Sequence, residues 1–294
     1  MLEAAVVFIL CLLLGVPIAF CLGVSSVVFL SFTKGISLGI IAQRMFTGVD
    51  AFPFMAIPFF ILAGDLMNAA KITDKLVAFA DLIVGRLKGG LAHVNIVTNM
   101  FFAGVSGSAV ADCSAIGSLM IPMMKEKGFD SDFSAAVTAS AAVMGPIIPP
   151  SIPMVIYGLI TGTSVGALFL SGFIPGVMIG FGLMGVAYFM ARKRKYPTRE
   201  RRLTLHEIYR IVLYALVPLF MPVIILGGIL GGIFTATEAS AVAVAYALLI
   251  GFFAYRTDSE FTRNHNKCWH RDEHDRRGIH EAPKEQQQNV NGQQ

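Results

Sequence analysis

Seven residues in the middle of a long apolar run, Gly145-Pro146-Ile147-Ile148-Pro149-Pro150-Ser151, limit the folding of this chain more than any other stretch. Pro146, Pro149 and Pro150, with Pro153 just beyond, cannot continue an α-helix. Each lacks an N–H, and its ring clashes with the carbonyl one turn back at roughly 3 kcal/mol in a helix interior. The apolar run over residues 131–160 therefore reads as two half-helices around a break.

The solvent decides what such a break means. Of 294 residues, 55% are hydrophobic and 14% charged, against roughly a quarter charged in soluble domains. Several apolar runs reach the length of about 18 residues needed to cross a hydrocarbon core of about 30 Å. The chain reads as an all-α integral membrane protein with several spans. In hydrocarbon, backbone groups freed by a broken helix are tolerated where they line a cavity or are met by other protein or an ion. Discontinuous helices at mid-membrane are how secondary transporters hold sodium and anionic substrates. The break is thus a candidate binding site, with a proline kink compensated by neighbouring helices as the plainer alternative.

The spans expected are 4–32, 51–70, the broken run 131–160, 166–191, 208–232 and 236–255. The first has no basic n-region and is too long for a signal peptide, so it reads as a retained span. The segment 35–48, with Gln43 and Arg44, is too short and polar for a span and reads as interfacial or half-inserted. Residues 89–125 are of another kind, apolar flanks of about 15 residues meeting at Gly104-Val105-Ser106-Gly107-Ser108. At 1.5 Å rise each flank reaches about 22 Å, short of the hydrocarbon thickness. A re-entrant hairpin with its tip near the break fits this better than a small-residue contact between ordinary helices.

The basic residues test this topology, because cytoplasmic loops collect Lys and Arg. Lys71, Lys75, Arg86 and Lys88 precede the hairpin, Lys125 and Lys127 follow it, and Arg192 to Arg210 fill a later loop. If the hairpin returns to its own side, residues 71–89, 125–131 and 192–208 are all cytoplasmic and 161–166 external. The net charge of +4 reflects these loops, and nucleic acid is not an expected partner. Cys11, Cys21 and Cys113 lie in apolar segments and Cys268 in a polar one, so no disulfide framework is implied. Residues 257–294 hold no apolar stretch and read as a polar disordered tail. The spacing of Cys268, His270, His274 and His280 there matches no zinc pattern well.

Several motifs in order resemble one family. Phe52-Pro53, Ile57-Pro58-Phe59-Phe60, Leu62-Ala63-Gly64, Gly89-Gly90-Leu91, Phe102 to Asp112, Gly145 to Gly158 and Gly231 to Ala239 look like the large membrane subunit of tripartite ATP-independent periplasmic (TRAP) transporters. The resemblance covers about residues 1–256. It implies an elevator-type fold of inverted repeats, each half contributing one hairpin and one broken helix. It also implies sodium as the coupling ion with no other cofactor, an organic-acid substrate delivered by a periplasmic binding protein, a small membrane subunit as partner, and a place in the lipid of the bacterial inner membrane. No enzymatic activity is implied.

Carried over by position, the resemblance places Ser106, Gly107 and Ser108 at the hairpin tip and Gly145, Pro146, Ile148 and Pro149 in the facing break, with sodium between them. Oxygen-only ligation suits such a hard cation. Ser108, Pro150 and Ser151 would meet the substrate, whose carboxylate the half-helix beginning near Ser151 would face with its positive end. Asp112 and Asn99 are supporting residues. Asp112 is an ionisable group at membrane depth that orients the tip or balances sodium, or else caps and packs. Asn95 and Asn99 share a helix face and hydrogen-bond across helices. Glu238, with Thr235 and Thr237, sits near the start of the last span and reads as structural or interfacial.

Family members continue with a second hairpin and a second proline break. The expected organisation here is a first repeat (1–191, with hairpin 89–125 and broken helix 131–160), a basic cytoplasmic linker (192–207), the first spans of an incomplete second repeat (208–256) and the tail, possibly out of frame. A truncated, non-transporting polypeptide is the expectation. The competing readings are an ion-coupled anion transporter that needs no binding protein, a fragment with an assembly role, and an intramembrane protease pairing Ser106 or Ser108 with His93.

Overall fold

The computed structural model describes residues 2–33, 37, 39–50, 52–197 and 204–252. Among them every regular element is helical, as the composition requires. The tail 257–294 and its histidines lie outside the described residues. Two compact units divide the chain, one within residues 2–55 and one from Ala56 onward.

In the first unit the expected span 4–32 is corrected to two helices, α1 (Leu2–Leu13) and α2 (Ile18–Phe32), which pack against each other. The cause is local: Gly15 adopts φ +78°, and Pro17, at the N-cap of α2, has φ −56° and ψ 140°. The resulting helices of 12 and 15 residues reach about 18 and 22 Å, too short to cross singly. A third short helix, α3 (Gly39–Val49), carries Gln43 and Arg44.

The second unit holds α4 (Ala56–Ala69), α5 (Ile72–Val84), α6 (Gly90–Ser106), α7 (Ala109–Glu126), α8 (Ser131–Ala142), α9 (Ile152–Thr161), α10 (Val165–Arg194), α11 (Leu205–Leu230) and α12 (Ala236–Phe252). Three stretches are long and apolar enough to cross a membrane: Phe52–Ala69, Val165–Arg194 and Leu205–Leu230. The last two turn large apolar side chains outward, among them Ile174, Met178, Phe181, Phe189, Phe220 and Val223, as lipid-facing helices do.

Residues 71–89, expected as a basic loop, contain the helix α5. Its Ile72, Leu76 and Ala80 recur at helical spacing, are buried, and face α6 and α11. Lys75 is buried with them, its ammonium 5.8 Å from the Tyr214 ring centroid. Long Lys stems lie along apolar surface in this way.

The run 131–160 is interrupted as expected. Helix α8 stops at Ala142 and α9 starts at Ile152, with irregular backbone between. Beside it runs α10, whose Gly172, Gly176 and Gly180 form a stripe one turn apart. A Cβ on Gly172 would collide with the Ile147 carbonyl and Met154, one on Gly176 with Ile148, and one on Gly180 with Met100. This stripe lets both the break and α6 sit directly on the α10 backbone, the use small residues have in membrane helix packing.

Away from the break, the start of α8 is tied to the end of α10. Asp130 accepts a hydrogen bond from the Tyr196 hydroxyl (2.6 Å) and pairs with Arg194. The Phe129 and Tyr196 rings stack at 4.4 Å, with Phe133 5.2 Å from Tyr196. The Tyr196 hydroxyl first, and Arg194 second, hold the Asp130 carboxyl below the usual aspartate range. Thr235 and Glu238 form a capping box on α12, Glu238 Oε2 accepting from the Thr235 N–H (2.8 Å) and hydroxyl (2.9 Å). That is the structural role expected of Glu238.

Candidate functional site

Helices α6 and α7 fold back on each other across only two residues. Gly107 ends α6 in the left-handed region (φ +62°), where glycine carries no Cβ penalty. Ser108 is extended and caps α7, its hydroxyl accepting from the Ala111 N–H at 3.4 Å. The break ends in the same way: Ser151 is extended and caps α9, accepting from the Met154 N–H at 3.4 Å. Its hydroxyl also donates to the Pro146 carbonyl (2.6 Å), closing the break into a loop. Two helix N-termini, each with a positive end, therefore begin at two serines.

The tip and the break meet. A Cβ on Gly107 would lie 2.6 Å from the Pro150 carbonyl oxygen and 3.3 Å from both Ser151 Cα and Ile152 N. From the other side, a Cβ on Gly145 would lie 2.5 Å from Asp112 Oδ2, 3.0 Å from the Ser108 carbonyl carbon and 3.1 Å from Ala109 N. Glycine allows the approach on both sides, at 107 against the Pro150–Ile152 backbone and at 145 against Asp112 and the Ser108–Ala109 backbone. Around it, a Cβ on Gly64 of α4 would stand 3.3 Å from Ser106 Cα, and one on Gly104 would stand 2.9 Å from Pro222 Cγ of α11. The α4 and α11 helices thus back the tip.

Oxygen dominates the chemistry of the junction. Asp112 is 0% exposed. Its Oδ1 accepts from the Ser106 hydroxyl, while Oδ2, the atom facing Gly145, has no hydrogen-bond partner. The carbonyls of Gly145, Ile148, Pro149 and Pro150 have no backbone N–H partner among the described residues. Prolines are the reason, since they remove the donors and the helical geometry that would engage them. Ile148, Pro149, Pro150 and Ser151 are all buried. A buried carboxylate oxygen and free carbonyls are costly unless something meets them, and oxygen donors of this kind suit a hard cation. Among the described residues no three His, Cys, Asp or Glu side chains converge on a metal-type cluster.

Of the site residues read from sequence, Ser106, Gly107, Ser108, Asp112, Gly145, Pro146, Ile148, Pro149, Pro150 and Ser151 all fall within the tip and the break. The Pro146 carbonyl is occupied by Ser151, and the Ser108 hydroxyl by its own helix. Asn99 stands apart, about two turns down α6, donating to Asn95 Oδ1 at 2.9 Å. His93 and Ser106 are at opposite ends of one unbroken helix, about 20 Å apart, beyond reach of a nucleophile–base pair. Pro222 and the α10 glycine stripe were not singled out from sequence, and Gly64 entered only as part of the Leu62-Ala63-Gly64 motif. The signal for the stripe was present in the four-residue spacing of Gly172, Gly176 and Gly180.

Residues 5–266 match the family model described as tripartite ATP-independent periplasmic transporter, DctM component. The sialic acid TRAP transporter large permease protein of Vibrio cholerae is 43% identical over 243 residues, covering 83% of this chain and 57% of that protein. The isethionate TRAP transporter permease protein of Oleidesulfovibrio alaskensis is 45% identical over 249 residues, 85% of this chain and 39% of its own. The C4-dicarboxylate TRAP transporter large permease protein of V. cholerae is 40% identical over 268 residues, 90% of this chain and 59% of its own. The chain thus spans about half the length of these relatives.

Proposed function

The chain belongs to the DctM-component family of TRAP transporters, and we propose that it acts in the large permease subunit of a sodium-coupled importer of an organic acid. The observation that carries this reading is the unpartnered, fully buried Asp112 Oδ2. It faces Gly145, where the hairpin tip meets a break whose carbonyls at Gly145, Ile148, Pro149 and Pro150 accept no backbone N–H.

Sodium fits that donor set. Asp112 Oδ2 and the Gly145, Ile148 and Pro149 carbonyls offer oxygen alone, with the carboxylate supplying the charge. Ser106 holds the carboxylate in place through Oδ1. Bound sodium ties α7 to the break and so makes the junction rigid when loaded. The substrate carboxylate then faces the N-terminus of α9 beside Pro150 and Ser151, where the helix dipole favours an anion. Sialic acid, isethionate and C4-dicarboxylates, named for the relatives, share an acidic group and differ elsewhere. A site that reads the acid through backbone and leaves the rest to other contacts suits such a family.

The hairpin re-enters from the cytoplasmic side in this reading. Its arms of 17 and 18 residues reach about 25 to 27 Å. Lys88 and Lys125 both lie at the end away from the tip, in keeping with the positive-inside rule. Tip and break move together as the elevator against a scaffold that pairs with a small membrane subunit. A periplasmic binding protein delivers the acid, and the assembly resides in the bacterial inner membrane. The test is uptake of labelled sialic acid, a C4-dicarboxylate and isethionate by cells expressing a full-length permease that contains this chain, with its small subunit and binding protein, in sodium and in potassium medium. Uptake of one acid that requires sodium supports the reading; uptake of none, or uptake indifferent to sodium, overturns it.

A further inference from the structure

Below the junction runs a buried polar ladder. Asn99 Nδ2 donates to Asn95 Oδ1 (2.9 Å), Asn95 Nδ2 donates across to Thr138 Oγ1 of α8 (2.6 Å), and Thr138 Oγ1 donates to the Ser134 carbonyl (2.8 Å). Asn95, Asn99, Ser134 and Thr138 are all 0% exposed. Helix α7 closes the third side: Asn95 Nδ2 is 3.7 Å from Met124 Sδ, and a Cβ on Gly117 would lie 3.3 Å from Thr138 Cγ2.

Around it, one apolar cluster holds Ala92, Ile96 and Ala103 of α6 together with Ala141 of α8 and Met144 just beyond it. Such contacts are non-directional and set register less sharply than a hydrogen bond. A buried hydrogen bond sets it within a fraction of a residue. Slippage by one residue moves a helix about 1.5 Å along its axis, enough to break a contact of 2.6 Å. Helix α6 is unbroken from Asn95 to Ser106, so a pin at Asn95 is carried about 16 Å to the tip. Helix α8 runs unbroken from Thr138 to Ala142, just before the break.

We propose that Asn95 and Thr138 are positioning residues: their hydrogen bond sets the register of the hairpin against the broken helix, and thereby the fit of Gly107 on Pro150 and of Asp112 on Gly145. The consequence for cation affinity rests on the sodium reading above; the register itself does not.

Substitutions can isolate this bond. Asn95→Leu removes it while Thr138 still donates to Ser134 and Asn99 keeps the Asn95 carbonyl (2.9 Å) as one of its two acceptors. Thr138→Val removes the acceptor at nearly equal volume, and Thr138→Ser keeps it. Hydrogen exchange is measured on the whole purified chain in nanodiscs without sodium. Asn95→Leu and Thr138→Val are expected to speed exchange about tenfold at residues 104–110 and 143–151, while Thr138→Ser stays at the wild-type rate. Faster exchange confined to 92–98 and 134–141, no change at all, or Thr138→Ser behaving like Thr138→Val would overturn the proposal. A sodium titration of the melting temperature on the same proteins separates the two readings. A wild type indifferent to sodium sinks the cation site and leaves the register to the exchange data. A wild type that responds, with Asn95→Leu keeping the same half-effect concentration, removes the link between register and binding.

Discussion

Gly107 at the hairpin tip lies so close to Pro150 in the break that a single added methyl would stand 2.6 Å from the Pro150 carbonyl oxygen. The two segments are far apart in sequence and are joined here backbone to backbone, with no side chain between them. Such an interface leaves carbonyl oxygens available to a ligand, and it tolerates almost no change in shape.

Gly107→Ala is therefore expected to destabilise the chain by about 2 to 4 kcal/mol, combining the left-handed backbone penalty with overpacking against Pro150. Gly145→Ala, which would press on Asp112 and Ser108, should behave alike. Gly182 of α10 has nothing within 4 Å of its would-be Cβ, so Gly182→Ala should be neutral or stabilising by up to about 1 kcal/mol. Unfolding in mixed micelles compares the three.

The two capping serines separate by burial. Ser151 is 0% exposed and makes both the cap and the Pro146 link; Ser151→Ala should cost about 2 kcal/mol. Ser108→Ala loses only a cap and should cost about 1 kcal/mol. Equal costs in the same unfolding assay would show that the loop-closing bond to Pro146 contributes nothing.

How much of this was legible follows from the range of the forces involved. The tip and the break could be read because glycine and proline act on their own backbone. Asp112 could be noticed as an ionisable group in an apolar run, but its partner Gly145 could not, since that pairing depends on how α7 packs on the break. Helix α5 was hidden because Lys71, Lys75, Arg86 and Lys88 read as a loop, while the burial of Ile72, Leu76 and Ala80 is decided by α6 and α11. In the first apolar run, hydrophobicity outweighed a real local signal, Gly15 and Pro17, and the two helices α1 and α2 were read as one span.

Acid should loosen the tie between α8 and α10. The Asp130 carboxyl is held below its usual value by Tyr196 and Arg194. Its contribution is thus fully present above the unfolded value of about 4 and is lost as pH falls through the lower folded one. Melting temperatures of wild type and Asp130→Asn should differ at pH 6 and converge toward pH 3. A constant gap across that range would mean that Asp130 acts through something other than its charge.

Equilibrium binding of radioactive sodium to the purified chain in nanodiscs tests the central claim most directly, because every proposed ligand belongs to this chain. Wild type should bind sodium saturably, with choline unable to compete. Asp112→Asn, which can still accept the Ser106 hydrogen bond but lacks the charge, should weaken binding at least about tenfold, on the scale of a lost charged ligand. Absence of saturable binding to the wild type, or full affinity in Asp112→Asn, would contradict the assignment of the tip and break as the ion site.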